Sequence, residues 1–158
     1  MFAFIFSWAF IGGINVQKVR VLVSRDLKVI CSGLALLFNN NSQFELVGRE
    51  GYDVVEESAL MQPDLLIYEP SKSIREMEVL TNLKSLCVWT KLIIFTTIPV
   101  GRENLKQYMA ICDGYLQGPV LPGFFLKAVE LVCFTGCFFY LGPSQEIKEE
   151  IISKLNIQ

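Results

Sequence analysis

Pro63-Asp64-Leu65-Leu66-Ile67-Tyr68-Glu69-Pro70 is an apolar run that ends in a single carboxylate. Continuous apolar residues between two turn-forming prolines read as a strand buried on both faces, and Glu69 falls where that strand becomes loop. In an open α/β sheet this carboxyl end of a strand is where ligands and chemistry gather.

Outward from this strand, similar runs recur at regular spacing. Strand signals at 19–24, 45–49, 64–68, 91–96 and 114–117 alternate with helical patterns at about 27–39, 53–62, 74–87, 101–111 and 122–134. Five βα units in this rhythm predict a parallel sheet with helices on both faces. Asp53 with Glu56, and Ser73 with Glu76, have the spacing of capping boxes, in which side chains satisfy free backbone N–H groups at a helix start. Pro122 suits a first helical turn, and Asn39-Asn40-Asn41 tolerates the left-handed residue that often ends a helix.

Composition narrows the class of function. The 158 residues are one domain's worth, 52% apolar and 19% charged, against roughly 45–50% and about 25% in ordinary soluble domains. The apolar surplus calls for cover. Fourteen basic and sixteen acidic side chains leave a net charge of -2, so nothing favours nucleic acid as a partner. The absence of histidine removes Cys/His zinc sites, Ser-His triads and imidazole bases. Five cysteines without a C-x-x-C (Cys31, Cys87, Cys112, Cys133, Cys137) read as plain thiols in a reducing compartment, the cytoplasm or an equivalent such as a plastid stroma. Glycine spacings match neither dinucleotide nor P-loop signatures, and Trp8 and Trp89, with no basic residues interleaved, read as packing anchors.

Two terminal segments fall outside the five units. Residues 2–15 carry no charge and four phenylalanines, yet are too short for a spanning helix of about 20 residues and lack the basic start of a secretory signal. A docking arm, a peripheral membrane contact, and upstream sequence read from a wrongly chosen start codon remain open. At the other end Ile147, Ile151, Ile152 and Leu155 fall at helical spacing opposite Lys148, Glu149 and Lys154, an amphipathic pattern. The organisation expected is 1–17 as an apolar N-terminal extension, 18–142 as the domain, and 143–158 as a C-terminal amphipathic helix.

From about residue 18 to 142 the chain resembles the receiver domain of two-component response regulators, particularly the NarL/FixJ class. Val19-Arg20-Val21-Leu22-Val23-Ser24-Arg25-Asp26 is similar to that class's first strand with its acidic pair, and Pro63 to Glu69 to the third strand with its phosphoacceptor. Lys91 to Thr97 resembles the fourth strand with its switch hydroxyl, and Asp113-Gly114-Tyr115-Leu116-Gln117-Gly118 the fifth with its aromatic switch and lysine. The resemblance implies a flavodoxin-like (CheY-like), doubly wound, five-stranded parallel sheet.

Carried over residue by residue, the resemblance implies a degenerate phosphoacceptor site. Arg25 and Asp26 stand for the two acids, Glu69 for the phosphoacceptor aspartate, Thr96 and Tyr115 for the switch pair, and Gly118 for the lysine. Phosphoryl transfer on carboxylate needs Mg²⁺ held at about 2.0–2.1 Å by oxygen ligands, and Arg25 puts a fixed cation there instead. An Arg25 guanidinium paired with Glu69 or Asp26 would hold the site permanently set. The expectation is therefore a pseudo-receiver that works by phosphorylation-independent contact rather than as an enzyme, without cofactor, metal or small-molecule substrate. Its partner would be another protein or a second copy. Sixteen residues follow Gly142, too few for the family's DNA-binding output region.

The first helix has no charge from Val29 to Phe38, and the last has only Lys127 and Glu130. Helices apolar all round are normally buried, so Leu37, Phe124 and Leu131 are the expected interface residues. Two other functions compete: a phosphorylatable regulator of a phosphorelay, and a flavin- or nucleotide-binding protein of the same topology.

Overall fold

The computed structural model describes residues 7–11, 14–24, 36–48, 53–71 and 75–142. In chain order the elements are β1 (Ser7–Ile11), β2 (Ile14–Val23), the helical residues 36–39 (α1), β3 (Phe44–Leu46), α2 (Val54–Met61), β4 (Leu65–Tyr68), α3 (Glu76–Leu86), β5 (Lys91–Thr96), α4 (Arg102–Ile111), β6 (Gly114–Gln117), α5 (Pro122–Thr135) and β7 (Phe138–Tyr140). The expected C-terminal helix 143–158 lies outside the described residues.

Six strands run parallel in the order β3-β2-β4-β5-β6-β7. β2 has β3 on one side and β4 on the other, so the direction of winding reverses at the β2/β4 seam. Helices consequently cover both faces. Strand periodicity of two sorts the core. Val21, Leu65, Ile67, Ile93, Phe95 and Leu116 meet Phe38 of α1 and Phe125, Ala128, Val129 and Val132 of α5. Leu22, Leu66, Tyr68, Leu92, Ile94 and Tyr115 face the other way, against Leu80, Leu83 and Tyr108 of α3 and α4. At about 1.5–3 kcal/mol for each large apolar side chain buried, this double layer supplies the main drive to fold. Gly114 is held to glycine by closeness: a Cβ there would lie 2.7 Å from Val132 Cγ2.

Two strands extend the five expected. β1 pairs antiparallel with the start of β2, from Ser7 opposite Lys18 to Ile11 opposite Ile14, so β2 begins five residues before the expected 19 and runs across position 17/18. β7 adds a parallel edge beside β6, Gly114 to Leu116 opposite Phe138 to Tyr140.

Local signals were met unevenly. Asp53 caps α2, its Oδ1 accepting from Val55 N at 2.8 Å and Glu56 N at 3.3 Å. Pro122 occupies the first turn of α5. The Ser73–Glu76 box is corrected: the N-cap of α3 is Arg75, so Glu76 opens the helix, and its carboxylate instead accepts from Ser71 Oγ at 2.6 Å. The asparagine run is also corrected. Among the described residues the left-handed non-glycine is Gln62 (φ 44°), which ends α2 and donates through Nε2 to Ala59 O and Leu86 O. Trp89 is 74% exposed and is no core anchor. Cys87, Cys112, Cys133 and Cys137 are free thiols; burial pushes Cys112 and Cys133 up to about 12, which keeps both protonated at neutral pH. Among the described residues no helix is long and apolar enough to cross a membrane.

Candidate functional site

Parallel strands end together, so the residues after β4, β5 and β6 converge at one rim of the sheet. Glu69 follows β4, Thr96 ends β5, and Gly118 follows β6, with Thr96 in register with Gln117. Glu69 sits at the β2/β4 seam, where winding reverses and a crevice is built into the topology. Ser24 closes that seam: its N–H donates to Ile67 O at 2.8 Å, and its hydroxyl accepts from Glu69 N at 3.0 Å. Arg25 and Asp26, expected beside Glu69, lie outside the described residues. Thr97 Oγ1 donates to Glu69 Oε1 at 3.5 Å, a long contact at the surface.

Thr96 and Tyr115 meet directly. Their hydroxyls are 2.9 Å apart in the buried layer beneath α3 and α4. Even-numbered Thr96 shares its face with Leu92 and Ile94, and Tyr115 on β6 points to the same face, so strand parity and register bring the pair together. Burial raises the Tyr115 phenol above its ordinary value, against the Thr96 hydrogen bond, which favours the phenolate. The phenol therefore stays neutral and can donate or accept.

Gly118 offers backbone alone, and a side chain there would press on the Phe95 ring. A Cβ would lie 3.0 Å from Phe95 Cζ and 3.5 Å from Thr96 O. The Phe95 ring is itself held edge-on to Phe125, centroids 5.6 Å apart. Gly118 precedes Pro119 through a cis peptide bond. Among the described residues no three acidic or thiol side chains converge as a metal site.

A cleft of about 490 Å³ opens beside Glu69, between the loop and first turn of α3 and the loop leading into α4. Glu76 and Thr97 line it, and sequence reasoning gave neither a role at the site. The signal available was Glu76 itself, a carboxylate opening a helix seven residues beyond Glu69.

Of the expected interface residues, Leu37 packs partly against the α5 side of the core. Phe124 is 38% exposed, with its ring 4.8 Å from Tyr140 and 5.9 Å from Phe138, so part of its surface is spent on β7. Leu131 is 39% exposed, and Phe134 on the same helix is 62% exposed.

No family model and no curated sequence matches the chain. Solved structures do. A LuxR-family two-component response regulator from Aurantimonas aligns with TM-score 0.64 at 16% identity, covering 88% of this chain and 99% of that one. The signal receiver domain of the response regulator NarL from Mycobacterium tuberculosis gives 0.63 at 18%, with 73% and 96% covered. A pilus assembly-related protein from Burkholderia pseudomallei gives 0.61 at 17%, with 76% and 92% covered. The fold is that of a receiver domain. At these identities the likeness concerns architecture, and it agrees with the CheY-like flavodoxin topology expected from the sequence. β1 and β7 are additions to its five-stranded core.

Proposed function

We propose that this chain is a receiver-like signalling module whose output is contact with a protein partner or a second copy, without phosphotransfer. The observation that carries the reading is Gly118. A lysine there would supply the cation that offsets phosphoryl charge, and the position holds glycine with the Phe95 ring against it. Two features support it. Glu69 stands where the resemblance implies aspartate, and its extra methylene displaces the oxygen from in-line geometry. Thr96 and Tyr115 are joined by a buried hydrogen bond that favours one arrangement of the switch pair. Arg25 is proposed as counter-charge to Glu69 and Asp26, in place of a metal.

The contact surface proposed is the outer stripe of α5 with Leu37 and β7, where Leu131 and Phe134 leave large apolar side chains in solvent. Soluble monomers seldom expose contiguous apolar patches beyond a few hundred Å², and each 100 Å² covered gains about 2.5 kcal/mol.

The full chain, incubated with acetyl phosphate and Mg²⁺, tests both parts by intact mass and sedimentation. The expected result is no phosphoryl adduct, association in both conditions, and weaker association in a Leu131→Glu/Phe134→Glu variant that keeps its helical circular dichroism. A stable adduct on Glu69 would establish the phosphorylatable regulator instead, and a wild-type monomer at micromolar concentration would remove the contact reading.

A further inference from the structure

Charge is divided between the two ends of this molecule. The helices run opposite to the strands, so α2, α3 and α4 end at the rim where β4, β5 and β6 begin. Acidic side chains collect at the other rim, with Glu56 and Glu57, Glu76 and Glu78, and Glu103 in the first turns of these helices. Their closing residues and the loops that follow are without charge from 58 to 63, 85 to 90 and 107 to 112. In that neutral ring Leu60 is 64% exposed, Leu86 45%, Val88 65% and Trp89 74%. Three hydrogen bonds hold these segments together: Gln62 Nε2 donates to Leu86 O at 3.2 Å, Cys87 Sγ to Ser58 O at 3.2 Å and Thr90 Oγ1 to Pro63 O at 2.6 Å. The lysines of this rim, Lys84 and Lys91, are engaged with Asp113.

The β1–β2 hairpin leaves the sheet at this same rim. β3 joins β2 at Val19 and β4 joins it at Val21, so residues 14–18 pair with β1 and carry the hairpin about 17 Å beyond the other strands. Arg20 Nη1 donates to Met61 O at 2.8 Å, which sets the base of the hairpin beside the end of α2. No charge occurs from residue 2 to 17. Register places Trp8 and Phe10, opposite Gln17 and Asn15, on one face of the hairpin, and Ala9 and Ile11, opposite Val16 and Ile14, on the other. A hairpin packed on another protein needs one apolar face, and this one has two. We infer that this end of the molecule rests on a lipid bilayer, with the hairpin and the Val88-Trp89 turn entering the boundary between headgroups and acyl chains. Aromatic side chains, tryptophan above all, favour that boundary. A two-stranded hairpin cannot pair every backbone group within itself, which suits the boundary, where water still reaches, and not the hydrocarbon centre. With the lysines engaged by Asp113 the attraction is apolar rather than ionic, so neutral lipid suffices. In this orientation Glu69, Thr96 and Tyr115 belong to the rim that faces away from the membrane. The inference is independent of phosphotransfer and of the α5 surface.

Flotation of the full chain with phosphatidylcholine vesicles, with and without phosphatidylglycerol, provides the test. The chain is expected to float with both, and to keep floating at high salt, which screens ionic attraction. Trp8 and Trp89 are its two tryptophans and both belong to this end, so their emission should shift to the blue and be quenched by phosphatidylcholine brominated on its acyl chains. Val88→Ser/Trp89→Ser, a change confined to exposed turn residues, should weaken partition about tenfold with unchanged circular dichroism. Trp8→Ser/Phe10→Ser should weaken it comparably from the hairpin, leaving Trp89 as the fluorescent reporter. Leu121→Ser, at a position 78% exposed at the start of α5 and so at the opposite rim, should leave partition unchanged. No flotation, flotation abolished by high salt, or partition unaffected by both double variants would overturn the inference. A wild type that stays in the aqueous phase and self-associates through Val88 and Trp89 would also overturn it, and would assign this end to a second copy.

Discussion

The two rims of the sheet treat their carboxylates in opposite ways. At the rim where β4 and β6 begin, Asp64 and Asp113 are consumed by the fold. Asp64 Oδ2 accepts from Arg20 N at 2.8 Å, and the Arg20 guanidinium reaches back to Met61 O at 2.8 Å. Asp113 Oδ2 accepts from Leu92 N at 2.8 Å and lies 3.3 Å from Lys84 Nζ, with Lys91 Nζ 3.8 Å from Oδ1. Each aspartate satisfies the N–H with which a neighbouring ladder opens. At the opposite rim Glu69 holds a long contact to Thr97, and Glu76 buries an oxygen without a partner. A carboxylate that closes a ladder acts as structure, whereas Glu76 Oε1 takes no part in the fold's hydrogen bonding.

The largest effect that tests this contrast belongs to Asp113. Asp113→Ala removes the acceptor for Leu92 N, leaving a backbone donor unpaired beside the core, and also strips the counter-charge from two lysines. A hydrogen bond to a charged group is worth about 1.5–3 kcal/mol, whereas the half-exposed lysine pairs add little. Urea unfolding should show a loss of about 2 kcal/mol with unchanged m-value. A loss under half a kcal/mol would mean that this rim is as loosely tied as the other.

Glu76→Met should move stability in the opposite direction. The substitution keeps side-chain length and removes a partly unpaired buried charge, at the expense of a favourable acidic residue in the first turn of α3. Replacing buried ionic groups by apolar ones of similar size is often stabilising, so a gain of about 1 kcal/mol in the same urea experiment is expected. Destabilisation of similar size would show that Glu76 belongs to the scaffold, and the contrast between the rims would collapse.

How much of this was legible in the sequence follows from the range of the interactions involved. Strand and helix positions from β3 to α5 were readable because Leu65–Tyr68 and Lys91–Thr96 are continuous apolar runs, and Asp53 and Pro122 mark helix starts through contacts a few residues away; residues 27–35 of the expected first helix lie outside the described residues. β1 was not expected because the uncharged run 2–15 has no polar alternation to mark a strand within it. Gly12-Gly13 between two apolar runs is a hairpin signal in the sequence. β7 was missed because three residues after a helix carry no periodicity, and their strand character comes from pairing with β6. At the site, the positions of Glu69, Thr96, Tyr115 and Gly118 followed from strand order. The roles of Phe95 against Gly118, of Ser24 on Glu69 N, and of Asp113 on Leu92 N depend on register across the sheet, which no local pattern encodes.

The smallest expected effect lies with Asp64, and its value is in its sign. Burial raises the Asp64 carboxyl above its ordinary value, and this outweighs the Arg20 N–H and guanidinium, which favour the charged form. Between the ordinary carboxylate value and the raised one, the folded chain binds more protons than the unfolded chain. The unfolding free energy therefore falls as pH rises through that window and is flat above it. Asp64→Asn keeps an oxygen that can accept from Arg20 N and cannot titrate, so it should remove this slope. Relative to wild type the variant should be more stable at pH 7 than at pH 3, a difference read from paired urea titrations at the two values. The opposite ordering would show that Arg20 dominates burial, tying the charged form of Asp64 into the fold as tightly as Asp113 and making the closed rim a fully electrostatic one.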